Sequence, residues 1–192
     1  MRTPVPSAPG LRLEILGPHH AEEMFEGLSD PGGYVFLPSD PPPDIESLHA
    51  RYARLAIGRS ADGSEIWLNW IIRRQDDGKP MGYVQATVQG TATLIAYHVF
   101  PRYWRRGIAS AAVGAMLDLL FADDGIDRAS ALVDTRNAAS QALLVKLGFV
   151  RVRTIRNADF FKGRSSDEFE FELLRSAWPR PVPPVRTAGR GG

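Results

Sequence analysis

The chain has 192 residues, 44% of them hydrophobic, with 23 Lys and Arg against 22 Asp and Glu, so one sizeable core can form and the formal net charge is only +1. A field so nearly balanced gives no argument for nucleic acid or an anionic membrane as the partner, neither of which is expected, and leaves any charge preference local. The absence of cysteine excludes disulfides, thiolate metal sites and a thiol nucleophile.

In chain order, residues 1–10 are rich in Pro and small side chains and are expected as a flexible arm without the apolar stretch of a signal peptide. Apolar runs elsewhere fall well short of the roughly 18 residues that cross a bilayer, so a cytoplasmic location is expected. Residues 11–16 alternate apolar and polar side chains as a half-buried strand does, and the folded domain is expected over 11–178. Pro18 suits the first turn of a helix over 18–28 with Met24, Phe25 and Leu28 inward. Asp44 precedes Ile45, Leu48, Tyr52 and Leu55 at helical spacing and reads as an N-cap. Segments 66–73, 80–88 and 91–100 are rich in β-branched and aromatic residues, with Asp77-Gly78 and Gln89-Gly90 between them, which predicts an antiparallel meander. Ile108, Ala112, Met116 and Leu119 make one face of a helix over 105–121. A buried strand over 129–133, a shorter helix from Asn137, and strands over 149–155 and 168–174 complete the pattern. The order predicts an α+β fold, an α/β sandwich with a largely antiparallel sheet and one helix-connected parallel step near its middle. Residues 179–192 contain only Pro, Arg, Gly, Val, Thr and Ala and are expected as a disordered tail.

Two short segments carry the chemistry. In Tyr103-Trp104-Arg105-Arg106-Gly107-Ile108-Ala109 a glycine-punctuated loop runs into the central helix, so backbone N–H groups and the positive end of the helix dipole converge where a diphosphate can sit. Gly107 admits a ligand close to the backbone, Ala109 is small, and Arg105 and Arg106 add positive charge; an ordinary strand-to-helix turn with solvated arginines has the same composition. Neither Gly-Lys-Ser/Thr nor Gly-x-Gly-x-x-Gly occurs, which sets aside nucleoside triphosphate loops and the dinucleotide fingerprint. In Asn137-Ala138-Ala139-Ser140, Asn137 either caps its helix or bonds a ligand amide, and the Ser140 hydroxyl either donates to a leaving group or accepts from the backbone. Gly148, in Lys146-Leu147-Gly148-Phe149, reads as the terminator of that helix.

In combination and order these segments resemble the GCN5-related N-acetyltransferases (GNAT), most closely the RimJ/RimL-like branch that acetylates ribosomal-protein N-termini. The Tyr-Trp-x-x-Gly-x-Ala form of the loop, with Trp104 where most of the family has Gln or Arg, marks that branch, as do Asp134-Thr135-Arg136-Asn137-Ala138-Ala139-Ser140 and Lys162-Gly163-Arg164-Ser165-Ser166-Asp167. The resemblance covers residues 11–178 and implies acetyl-coenzyme A as cosubstrate, no metal, and a cleft where two central strands of a mixed sheet splay apart. It implies further that the backbone at Val99 and Phe100 holds the pantetheine arm. The amides of Arg105, Arg106, Gly107, Ile108 and Ala109 would hold the pyrophosphate, with Trp104 and Ser110 also binding the cofactor. Asn137 would contact the cofactor, and Ser140 would lie near its sulfur as general acid. Many members place a tyrosine seven residues after the asparagine; here that position is Leu144, which leaves Ser140.

An amine must lose a proton before it attacks. At pH 7 an unperturbed lysine is neutral about once in 10³ to 10⁴ molecules and an α-amine roughly one time in ten, so an α-amine asks less of an enzyme. The branch often carries a glutamate in the strand before the glycine loop, whereas this chain reads Leu94-Ile95-Ala96-Tyr97-His98; His98 is the candidate base, directly or through water. The segment 32–44, with Asp40, would overhang the acceptor side, and Trp67 and Trp70 fall on opposite faces of one strand. The expected activity is direct transfer of acetyl from acetyl-coenzyme A to a primary amine, either a protein or peptide N-terminus or a small amine, by a monomer or homodimer. The alternative is an acyl-coenzyme A-binding module without turnover, which the missing glutamate and tyrosine keep open. Nucleic-acid binding through the arginine-bearing tail is the weakest reading.

Overall fold

The computed structural model describes residues 7–179, and the expectations for residues 1–6 and 180–192 lie outside that span. Strand β1 (Ser7–Ala8) pairs antiparallel with β2 (Leu11–Ile15), so the end of the segment expected as a loose arm joins the sheet. Alternation in β2 buries Leu11 and Leu13 and exposes Arg12. The helix expected over 18–28 begins instead as a 3-10 turn, Pro18–His20, before α1 (Ala21–Leu28). His20, fully buried, accounts for the tight entry: its Nδ1 is bonded to the Gly17 N–H at 2.9 Å and its Nε2 to Glu14 at 3.1 Å. Helix α2 (Ile45–Leu55) starts at Asp44, whose carboxylate accepts from the Ser47 N–H at 2.6 Å, and it buries Leu48 and Tyr52.

The meander is present as β3 (Ile66–Arg74), β4 (Pro80–Gln89) and β5 (Ala92–Val99), all antiparallel. Helix α3 (Ile108–Ala122) then carries the chain over the sheet, so that β6 (Arg128–Asp134) runs parallel to β5. The helix begins at Ile108, the first residue of its apolar face, three residues later than the expected 105, because Arg105 and Gly107 both have positive φ (61° and 77°) and cannot extend a right-handed helix. Its core face is Ala112, Val113, Met116, Leu117 and Leu120; Ile108 and Leu119 are only partly covered. After α4 (Ala138–Lys146), strands β7 (Val150–Phe161) and β8 (Arg164–Leu174) form a hairpin several residues longer than their apolar runs. The polar stretch Arg156-Asn157-Ala158-Asp159 hides that extension. A register shift falls between Ile155 and Asp159, and Asn157, at φ 49°, donates its N–H to Asp167 at 2.9 Å.

The eight strands lie in the order β1-β2-β3-β4-β5-β6-β8-β7, β5 and β6 being the parallel pair. Side chains such as His98 and Phe100 meet α1 and the Pro31–Tyr34 turn on one face, while α3 packs on the strands from the other. Pairing of β5 with β6 is confined to Ala92 with Arg128, Thr93 with Ala129 and Leu94 with Ser130. Beyond it β5 follows β4 as far as Val99, while β6 follows β8 as far as Asp134, so the two middle strands part and leave a gap. Among the described residues no helix is long and apolar enough to cross a membrane.

Candidate functional site

The gap has one wall of peptide groups. The Phe100 N–H donates to Met81 O at 2.9 Å, so strand alternation turns the peptide groups of Tyr97 and Val99 away from β4 and into the gap. Of the two residues expected along a pantetheine arm, Val99 is therefore well placed, and its carbonyl accepts from Trp104 Nε1 at 2.6 Å. Phe100 is not: its C=O also accepts from the Tyr103 N–H at 2.8 Å, and its buried ring fills the space left by Gly27 of α1. The peptide groups of Phe100 are thus engaged within the protein and its ring serves the core.

At the end of the gap the α3 N-terminus is bare. Gly107 caps it in left-handed conformation and offers no side-chain acceptor, and the first helical bond is from the Ala111 N–H to Gly107 O at 3.0 Å. The N–H groups of Ile108, Ala109 and Ser110 therefore precede the hydrogen-bonded helix, beside the exposed Arg105 and Arg106. A Cβ on Gly107 would meet no atom within 4 Å, so glycine is needed for its torsion while the space above stays open to a ligand. Main-chain donors so arranged have the geometry to receive an anion.

The opposite wall is the start of α4. The Asn137 carbonyl oxygen accepts from the Ser140 N–H at 3.1 Å, so of its two readings the cap is the one realised. Asn137→Ala is expected to lower stability by about 1 kcal/mol, with Asn137→Asp largely restoring it, as read from denaturant midpoints. An unchanged midpoint in the alanine variant would refute the cap. Just upstream, buried Asp134 is bonded by Arg136 through two guanidinium nitrogens and its backbone N–H, and by Ser166 Oγ at 2.7 Å, and these bonds, chiefly that of the Arg136 side chain, hold its carboxyl down to about 2. The clamp fixes the turn that aims α4.

Ser140 is half-buried, and its Oγ lies 2.5 Å from the hydroxyl of Tyr97, which crosses from β5. Burial pushes the Tyr97 phenol up to about 12, so it stays protonated at neutral pH. Tyr97 is a residue that the sequence reading passed over. The alternation that sends His98 to one face sends Tyr97 to the other, and that was the available signal.

His98 sits on the α1 face. Leu94 and Ala96, of the same parity, are exposed, but His98 is covered by the Pro31–Tyr34 turn, packed on Gly33 and stacked on Tyr83 with ring centroids 5.5 Å apart. Its Nε2 is buried without a hydrogen-bond partner among the described residues. Burial, helped by the positive charge of Arg51 and opposed by Asp30, pushes His98 from its ordinary 6.5 down to about 4. It is neutral throughout pH 6 to 9, able to accept a hydrogen bond but holding a proton weakly. The unfolded chain binds this proton below pH 6.5 and the folded chain only below about 4, so stability falls as pH drops through that window, by about 3 kcal/mol from this group. Denaturant melts of the wild type and His98→Gln between pH 4 and 6.5 should differ by that slope; parallel curves would contradict it.

On the outer side, Lys162 at the β7–β8 turn reaches the segment 32–44, donating to Leu37 O at 2.8 Å and lying 3.5 Å from Asp40. Asp40 is thus already beside a cation. Trp70 is core, and Trp67, on the other face, bonds Glu65.

The family model described as an acetyltransferase (GNAT) domain matches residues 11–150. The chain is 27% identical over 111 residues to the uncharacterized N-acetyltransferase YoaA of Bacillus subtilis, a stretch that is 56% of this chain and 63% of that protein. It thus spans less than two thirds of that curated relative's length. Among solved structures, RimL, a ribosomal L7/L12 alpha-N-protein acetyltransferase in complex with coenzyme A, is similar with TM-score 0.79 and 16% identity over 90% of this chain and 98% of that one. Spermidine N-acetyltransferase from Vibrio cholerae, in complex with CoA and spermine, is similar with TM-score 0.75 and 16% identity over 88% and 98%. At these identities the likeness is one of fold.

Proposed function

Since the chain belongs to the GNAT acetyltransferase family, we propose that it transfers the acetyl group of acetyl-coenzyme A directly to a primary amine in a ternary complex. The observation that carries this reading is the gap between β5 and β6, opening beside the uncapped N–H groups of Ile108, Ala109 and Ser110. Main-chain donors with Arg105 and Arg106 suit the pyrophosphate, and the peptide of Val99 suits the amides of the pantetheine arm. The cosubstrate supplies an activated acetyl thioester. The amine nitrogen bonds to the thioester carbon as the C–S bond breaks. The amine's proton passes to solvent, and the sulfur takes the proton of Ser140, which solvent replaces.

A neutral His98, a weak base covered by the Pro31–Tyr34 turn, supports an amine that arrives already deprotonated. That favours a peptide or protein α-amine over a lysine-like amine, since an α-amine is about 10²- to 10³-fold more often neutral at pH 7. Small amines are the other acceptor class, as the spermidine acetyltransferase fold illustrates. The weak basicity of His98 also favours a second reading, an acyl-coenzyme A-binding module without turnover.

Calorimetric titration with acetyl-coenzyme A, followed by thiol release with a panel of peptides and small amines, separates these readings. Binding with release for N-terminal peptides supports the first. Binding without release from any acceptor supports the module, and no binding defeats both.

A further inference from the structure

We infer that Tyr97 is a positioning residue for the transfer step, its phenol holding the Ser140 hydroxyl so that the serine proton is presented to the leaving sulfur. This rests on the acetyl-transfer reading above. A serine hydroxyl has one proton and two acceptor lone pairs, and in the first turn of a helix it commonly turns back to its own backbone. Here the backbone N–H of Ser140 is already taken by Asn137, and its Oγ faces the Tyr97 hydroxyl at 2.5 Å. With the phenol donating to Oγ, the serine proton has to point elsewhere, and the open direction is the gap.

The geometry is particular to this strand arrangement. Tyr97 spans the place where β5 and β6 have parted, joining the β5 wall to the α4 wall across 43 positions of sequence. It also stands next to His98, so consecutive residues of β5 deliver one protic group to each face of the sheet at the mouth of the gap. Leu144, buried one turn further along α4, offers no hydroxyl. Tyr97 loses no proton in the step: it remains a donor while the C–S bond breaks, and the proton that reaches sulfur is that of Ser140.

The test is Tyr97→Phe, which keeps the ring and removes the hydroxyl. The expected result is a fall in kcat of about tenfold, with KM and calorimetric Kd for acetyl-coenzyme A within about twofold of wild type. In a Ser140→Ala background the same substitution should change kcat by less than about twofold, since the two groups act as one unit. Incorporation of 3,5-difluorotyrosine at position 97 preserves shape and makes the phenol more acidic. It should introduce an alkaline fall in kcat that the wild type lacks, a shift that a purely structural role would not produce. An active wild type with unchanged kcat in Tyr97→Phe, or strictly additive losses with Ser140→Ala, overturns this inference and leaves acetyl transfer standing. A wild type that releases no thiol with any amine overturns both. Should the phenylalanine variant fail to fold, the fluorinated chain decides, and an unaltered alkaline profile rejects the proposal.

Discussion

Gly82→Ala should destabilise the chain by about 3 to 5 kcal/mol and lower its melting temperature by roughly 10 °C. Gly82 pairs with Val99, at φ +148°, a backbone region that side chains rarely enter. A Cβ there would lie 2.0 Å from His98 O and 2.8 Å from Val99 Cα. Both are backbone atoms, so no rotamer change can relieve the clash, and the torsional and steric costs of about 1 to 3 kcal/mol each accumulate. Relief would require β5 to move, carrying the Val99 peptide and the His98 ring with it, so acetyl-coenzyme A affinity should fall along with stability. Gly90→Ala is the control. That residue also has positive φ, 59°, but a Cβ on it would meet nothing within 4 Å, so only about 1 kcal/mol of torsional cost is expected. Calorimetric melts of the two variants decide the matter. Equal losses would mean that close approach of the strands contributes nothing.

The largest catalytic effect is expected at Ser140. Ser140→Ala should reduce kcat about 10²-fold while leaving KM for acetyl-coenzyme A within about twofold. A free thiol titrates near about 8.5, so at neutral pH the sulfur leaves more readily when a donor meets the charge that develops on it. The helix itself should survive, because the cap runs from Asn137 to the backbone N–H of Ser140 and not to its hydroxyl. The stability loss should be about 1 kcal/mol, from the Tyr97 phenol that loses its partner. Steady-state thiol release checks the first quantity and denaturant unfolding the second. A kcat equal to wild type would remove Ser140 from the chemistry.

What was legible along the chain was local. The strands of the β3–β5 meander announce themselves by alternation and turn residues, and Asp44 and Asn137 mark helix starts through bonds that span three residues. The α3 N-terminus was equally readable, since a glycine before an apolar helix leaves its first N–H groups uncapped whatever surrounds it. The end of the β7–β8 hairpin was not. The bulge at Asn157 is supported by Asp167 and Ser165 on the other strand, and no local period records such a partner.

The candidate site divides in the same way. The left-handed cap at Gly107 and the Asn137 cap on the Ser140 N–H were readable because each is written in neighbouring residues. That Met81 and Tyr103 claim the peptide groups of Phe100 could not be read along the chain, nor could the meeting of Tyr97 with Ser140, 43 residues away. His98 was recognised as a candidate base on the Leu94 and Ala96 face of its strand, yet its basicity could not be read there. The Pro31–Tyr34 turn and the Arg51 charge, brought over it by folding, push its pKa down.

By itself the sequence determined most of the element types and the uncapped entry of α3, because torsional preference, capping and period act over a few residues, and the order of its motifs carried the resemblance to the family. Only the tertiary structure decided where β5 and β6 part, which peptide groups face the gap, and whether a titratable side chain there is basic. These depend on desolvation and on hydrogen bonds between residues that are neighbours in space alone.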